Sequence, residues 1–285
     1  MKKRHTTTKK FALGSVAVVV VFLVVFPCQV GAQTDDQICA SVGAANSVAD
    51  YDKDGFTDFQ ECNGITLYDG TQFPGYNNGG PNRSLRLGPA DPDLFVILVL
   101  ANPSRITMDD PLEFVSAPKT QGGLGIIAHM LTGSPPDDRI VSPPWPQKAV
   151  RISESLHPEG IILGYANQGT PNGLDDAIIY TEHIKKHVET VCAEEGTAGC
   201  IDSATNVSGP AAIISIYIRH TIAHEIGHMM MLAVDYNSRF GGYHYKSGSQ
   251  VIMEQAVKYT SKKGKVTFYI STHYADPDQQ GFQLE

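Results

Sequence analysis

Residues 211–232 read AAIISIYIRHTIAHEIGHMMML, and this stretch decides how the rest of the chain is read. It follows Ser208-Gly209-Pro210, in which Ser208 can cap a helix and Pro210 is tolerated in a first turn. The pattern predicts one long apolar helix from about Ala211 to Leu232 or beyond. Inside it, His224-Glu225-Ile226-Gly227-His228 sets two imidazoles four residues apart, on one helical face. Imidazoles so placed can bind one zinc ion, and Glu225, about 100° round the helix, reaches a metal-bound water without being a ligand. A hydrolytic zinc keeps three protein ligands and one open position, so a third ligand must follow downstream. The candidates are His244, 16 residues after His228 in GGYHY (241–245), Glu254, 26 residues after it, and Asp235. His220 lies one turn before His224, but three ligands on one straight helix cannot surround a tetrahedral ion, so it reads as a packing or supporting residue. His129 reads as structural, and the pair His183 and His187 as a solvated helix face.

A His-Glu-x-x-His helix, a later histidine and then Val251-Ile252-Met253 resembles the metzincin family of secreted zinc peptidases, in which a methionine turn lies beneath a three-histidine zinc site. The resemblance covers residues 220–264. It implies His224, His228 and His244 as zinc ligands, Glu225 as general base and Met253 as the Met-turn residue. It also implies an α+β catalytic domain with a mixed twisted sheet, a backing helix and a long active-site helix carrying the motif. The family pattern places Gly three residues and His six residues after the second histidine. Here Met231 and Val234 stand there, so the chain has to return through a loop that carries His244, with Gly241-Gly242 allowing the reversal. Tyr243, Tyr245 and Tyr259 are candidate donors to the oxyanion, position 255 being Gln255. The function implied is a secreted zinc-dependent endopeptidase acting on protein or peptide substrates. The alternatives are a peptidase with Glu254 as third ligand, and a non-catalytic, calcium-stabilised extracellular binding module.

Toward the N-terminus, Asp50, Asp52, Asp54, Gly55, Asp58 and Glu61 occupy positions 1, 3, 5, 6, 9 and 12 of a twelve-residue loop, the spacing of an EF-hand calcium site. Alternating acids wrap carboxylates around one hard cation, Gly55 permits the sharp turn, Phe56 lends its carbonyl and Glu61 can bind through both oxygens. Without long flanking helices, the loop reads as a structural calcium site rather than a sensor.

Residues 1–32 combine five basic residues, the apolar run Phe11–Phe26 and the small-residue ending Val30-Gly31-Ala32. They read as a cleaved signal peptide, the run being shorter than the ~20 residues of a membrane span. The expected destination is outside the cytoplasm, secreted or periplasmic, with no stable membrane span once the leader is removed. Net charge is −8, and without the leader 17 basic residues face 30 acidic ones, or −13, which argues against nucleic-acid or anionic-membrane binding. Composition leaves the oligomeric state open. The four remaining cysteines suggest two disulfides. Of the three possible connectivities, the local one, Cys39–Cys62 and Cys192–Cys200, is expected, because each pair brackets one apparent unit.

The chain then divides into a calcium-loop module at 33–68, a Gly/Pro/Asn-rich connecting segment at 69–93 and the peptidase domain at 94–285. Strands are expected at Leu94–Ala101, Lys148–Ser153, Gly160–Ala166 and Val266–Ile270. Leu174, Ile178, Thr181, Ile184, Val188 and Val191 predict a helix opening at Asp175-Asp176.

Overall fold

A computed structural model describes residues 33–43, 48–106, 111–121, 123–132, 149–157, 163–167, 176–194, 199–229, 252, 257–262 and 264–275. Helices α1 (Asp35–Ser41) and α2 (Asp58–Asn63) each follow a threonine, Thr34 or Thr57. Its hydroxyl accepts the amide of Gln37 or Gln60, and the glutamine side chain accepts the threonine amide in return. Helices this short do not hold by propensity alone, and reciprocal capping satisfies their first amides. The disulfide Cys39–Cys62, with Cα atoms 5.5 Å apart, ties α1 to α2.

An antiparallel pair follows, β1 (Ile65–Thr66) with β2 (Gln72–Phe73), and then a 3-10 turn at Arg83–Leu85. The chain continues through β3 (Asp93–Val99), α3 (Glu113–Ser116), β4 (Ile127–Thr132), β5 (Val150–Ser155), β6 (Gly164–Asn167), β7 (Asp176–Tyr180), α4 (Thr181–Glu194), β8 (Cys200–Asp202), α5 (Pro210–Met229), β9 (Lys258–Lys262) and β10 (Lys265–Tyr269). The larger sheet has the order β4-β3-β5-β7-β6. Its strands are parallel except β6, which closes one edge antiparallel to β7. The smaller sheet, β8-β10-β9, is also mixed. The fold is therefore α+β with mixed sheets.

Strand β3 shows why the apolar run at 94–99 is uninterrupted. Leu94, Val96 and Leu98 point into a core shared with Ile184 and Val188 of α4 and Ile213, Ile222 and Ile226 of α5. Phe95 and Ile97 point the other way, into a second core with Phe56, Ile65 and Leu87. Successive side chains alternate between faces, so a strand covered on both faces needs apolar residues at every position. Full burial of each such side chain stabilises the fold by about 1.5–3 kcal/mol. Residues 33–285 make one compact unit, in which the 56–87 stretch covers the face of the sheet turned away from α4 and α5.

The helix predicted to open at Asp175-Asp176 is corrected. Asp176–Tyr180 is a strand, parallel to β5 and antiparallel to β6, and the helix begins at Thr181. Ala177 and Ile179 alternate into the core, and this period of two overrides the helical spacing that Ile178 happens to extend backward from Ile184. The disulfide Cys192–Cys200 links α4 to β8, with Cα atoms 5.8 Å apart. His187 is half-buried, its ring between Tyr217 and Tyr259, and is less solvated than its sequence context predicts. Among the described residues no helix is long and apolar enough to cross a membrane, and the leader at 1–32 lies outside them.

Candidate metal centres

Helix α5 begins at Pro210, as expected of a first-turn proline, but Ser208 forms a β-bridge with Ile201, and Gly209, at φ +93°, makes the turn into the helix. Ile213, Ile216, Ile222 and Ile226 bury the helix against the sheet, and this seating fixes which way the motif faces. His224 and His228 are half-buried, with ring centroids 4.7 Å apart and planes at 84°. His224 Nδ1 is 2.6 Å from the carbonyl oxygen of Ile252, which makes Nδ1 the protonated nitrogen and Nε2 the basic one, the tautomer that a metal-ligating histidine adopts. Ile252 is fully buried, and its amide donates to the His273 carbonyl. The residue immediately before Met253 is thus held against the motif helix. Met253 itself, His244, Glu254, Asp235, Tyr243, Tyr245 and Gln255 lie outside the described residues.

One turn earlier, His220 is buried and its Nδ1 meets the Ser271 carbonyl at 2.9 Å. Burial pulls its pKa down to about 4, so it stays neutral and acts as packing. Glu225 is 5% exposed, and burial pushes its carboxyl up to about 8; a bound cation would pull in the opposite direction.

The wall facing Glu225 is the edge strand β6. A Cβ built on Gly164 would lie 2.5 Å from Glu225 Oε1 and 2.9 Å from Thr221 Cγ2, so at this point strand and helix are in close contact through the Glu225 and Thr221 side chains. The pattern that predicts a strand over 160–166 does not single out Gly164. A glycine inside a strand is the signal that could have done so, since it often marks close backbone approach. The atom in the way is the tip of a side chain, so a larger residue would displace the carboxylate before it moved the backbone. If the chain is the zinc peptidase its motif resembles, Gly164→Ala should lower hydrolysis by about 10²-fold, the order expected for a misplacement of about 1 Å, with zinc content unchanged. Full turnover in that variant would show that β6 does not position Glu225.

The acidic loop forms a second centre. Lys53, at φ 64°, and Gly55, at φ 94°, turn the backbone so that both their amides donate to Asp50, at 2.7 and 3.1 Å. Asp54 accepts the Phe56 amide, and the Phe56 ring packs 5.7 Å from that of Phe95. One carboxylate oxygen from each of Asp50, Asp52 and Asp54 lies within 4.8 Å of the others. A second such group joins Asp54, Glu61 and Asp93. Asp58 falls outside both groups and accepts the Tyr51 amide at 2.8 Å.

The donor set fits a hard divalent cation. Glu61 is fully buried with neither carboxylate oxygen hydrogen-bonded, and both Asp52 oxygens are in the same state. With no ion, burial and then the neighbouring carboxylates push Glu61 up to about 12, Asp52 to about 9 and Asp54 to about 8. Asp93, at the start of β3, is the member that sequence spacing misses. Its side chain is held by His129 on β4, which is fully buried and paired with it rather than isolated.

Set against known proteins, the chain matches no family model, no curated protein and no solved structure.

Proposed function

We propose that this chain is a secreted, zinc-dependent endopeptidase of metzincin-like fold, acting on protein or peptide substrates and carrying structural calcium in its 50–61 loop. The observation that carries the reading is the hydrogen bond from His224 to the Ile252 carbonyl. Zinc-ligating histidines characteristically donate their second ring nitrogen to such an acceptor, and this one comes from the residue next to Met253. His224, His228 and His244 would hold the zinc. When bound, zinc lowers the pKa of its water to about 7 and polarises the scissile carbonyl. Glu225, confined against Gly164, would serve as the general base, taking a proton from the attacking water and passing it to the leaving amine.

Strand β6 supports a peptide as substrate. Among the described residues it is the edge strand of its sheet, and it lies beside Glu225. An extended peptide adds to such an edge through main-chain hydrogen bonds. The two disulfides accord with an oxidising compartment outside the cytoplasm.

Incubation with a denatured protein, with and without a zinc chelator, tests the proposal. Cleavage that the chelator stops and added zinc restores is expected. No cleavage with stoichiometric zinc present would favour the non-catalytic, calcium-stabilised binding module instead. His244→Ala should lower zinc content sharply, and unchanged zinc would give the third position to Glu254 or Asp235.

A further inference from the structure

We propose that Asp93, the first residue of β3, belongs to the cation site of the 50–61 loop, so that a bound calcium ion fastens the loop to the main sheet. This rests on the calcium reading of that loop and adds to it a carboxylate from outside the motif.

Asp54, Glu61 and Asp93 lie near enough to one another to share one ion. Oxygens bound to calcium at about 2.4 Å can be no more than about 4.8 Å apart, and this is the limit within which Asp54, Glu61 and Asp93 each place one carboxylate oxygen. Asp54 also belongs to the group formed with Asp50 and Asp52, so the two groups adjoin. Glu61 points to a ligand independently. It is fully buried at the centre of this cluster, with two carboxylate oxygens that meet no donor.

Asp93 is held ready for the role. His129 Nε2 meets its Oδ1 at 2.7 Å, and the Gly88 amide donates to its Oδ2 at 3.1 Å. Each carboxylate oxygen accepts along two directions, so one contact leaves room for an ion at the other. His129 is fixed in turn, with Nδ1 3.0 Å from the Ser84 carbonyl oxygen. The Asp93 amide donates to Asp54 Oδ2 at 2.6 Å, which brings loop and strand together at the same place. A purely structural Asp93–His129 pair would explain the burial of those two residues but not the gathering of an unpartnered Glu61 against them.

Calcium titration by calorimetry into the full chain, previously dialysed against a chelator and resupplied with zinc, compares wild type with Asp93→Asn. Tenfold or greater weakening in the variant is expected. Equal affinity would overturn the role of Asp93 and leave the loop reading intact. No calcium binding by wild type would overturn the loop reading, and this inference with it. Amide exchange of wild type decides the matter even if Asp93→Asn fails to fold. Calcium-dependent slowing at Gly88, whose acceptor is the Asp93 carboxylate, supports the proposal, and slowing confined to residues 50–63 overturns it.

Discussion

Replacing Glu225 with glutamine is expected to lower peptide hydrolysis by about 10²–10⁴-fold, the usual contribution of a positioned general base, while zinc stays stoichiometric. The amide keeps the volume of the carboxylate and fits the same narrow space against Gly164, where it is buried. It offers no site for the proton of an attacking water. Because the variant removes a buried ionisable group without opening a cavity, its unfolding temperature should not fall. Activity assays beside zinc analysis and a melting curve make the check. Wild-type turnover with zinc in place would end the peptidase mechanism. Loss of zinc together with activity would mean that Glu225 organises the metal site rather than serving as base.

Calcium should have its largest effect on stability. At a hundredfold excess over its dissociation constant, a ligand bound only by the native state contributes about 2.7 kcal/mol. A domain of this size moves by about 2–4 °C per kcal/mol, so a chelator should lower the unfolding temperature by roughly 5–10 °C. The effect should depend on pH with a definite sign. In the metal-free chain Asp54, Asp52 and Glu61 lie at about 8, 9 and 12, far above the carboxylate values of an unfolded chain, so the native state keeps protons that the unfolded state releases. Their contribution is complete below about pH 4 and is lost as the pH rises through the folded values. Calcium needs the deprotonated carboxylates, so its binding strengthens over the same window. The calcium-dependent shift should therefore widen from pH 5 to pH 8. Glu61→Gln should raise the melting temperature of the metal-free protein and abolish the shift. Equal shifts at both pH values, or a full shift in Glu61→Gln, would remove Glu61 from the site.

What the sequence made legible was local. His224, Glu225 and His228 are one helical turn of chain, and Asp50 to Glu61 is one loop, so spacing alone carries their chemistry. The covered strand, expected at 94–101 and found at 93–99, announces itself in the same way. Asp93 stands 32 residues beyond Glu61, and the packing of Phe56 on Phe95 together with the Asp93 amide bond to Asp54 brings the loop onto its strand. Gly164 matters because of a helix that begins far downstream, at Pro210. The sequence of β7 also suits a helix because Ile178 fits either period, and its two neighbours in the sheet, which no local window contains, settle the matter.

The two-sided burial of β3 bears on how such a protein could be kept silent before use. Secreted hydrolases are commonly activated by cutting away an N-terminal stretch. Here a cut near residue 88 would shed Phe56, Ile65 and Leu87 and expose Phe95 and Ile97 to water. The product would be an aggregation-prone fragment, with its sheet uncovered on one side, rather than an awakened enzyme. On the peptidase reading, a cut there cannot be an activating one, because residues 56–87 are part of the wall.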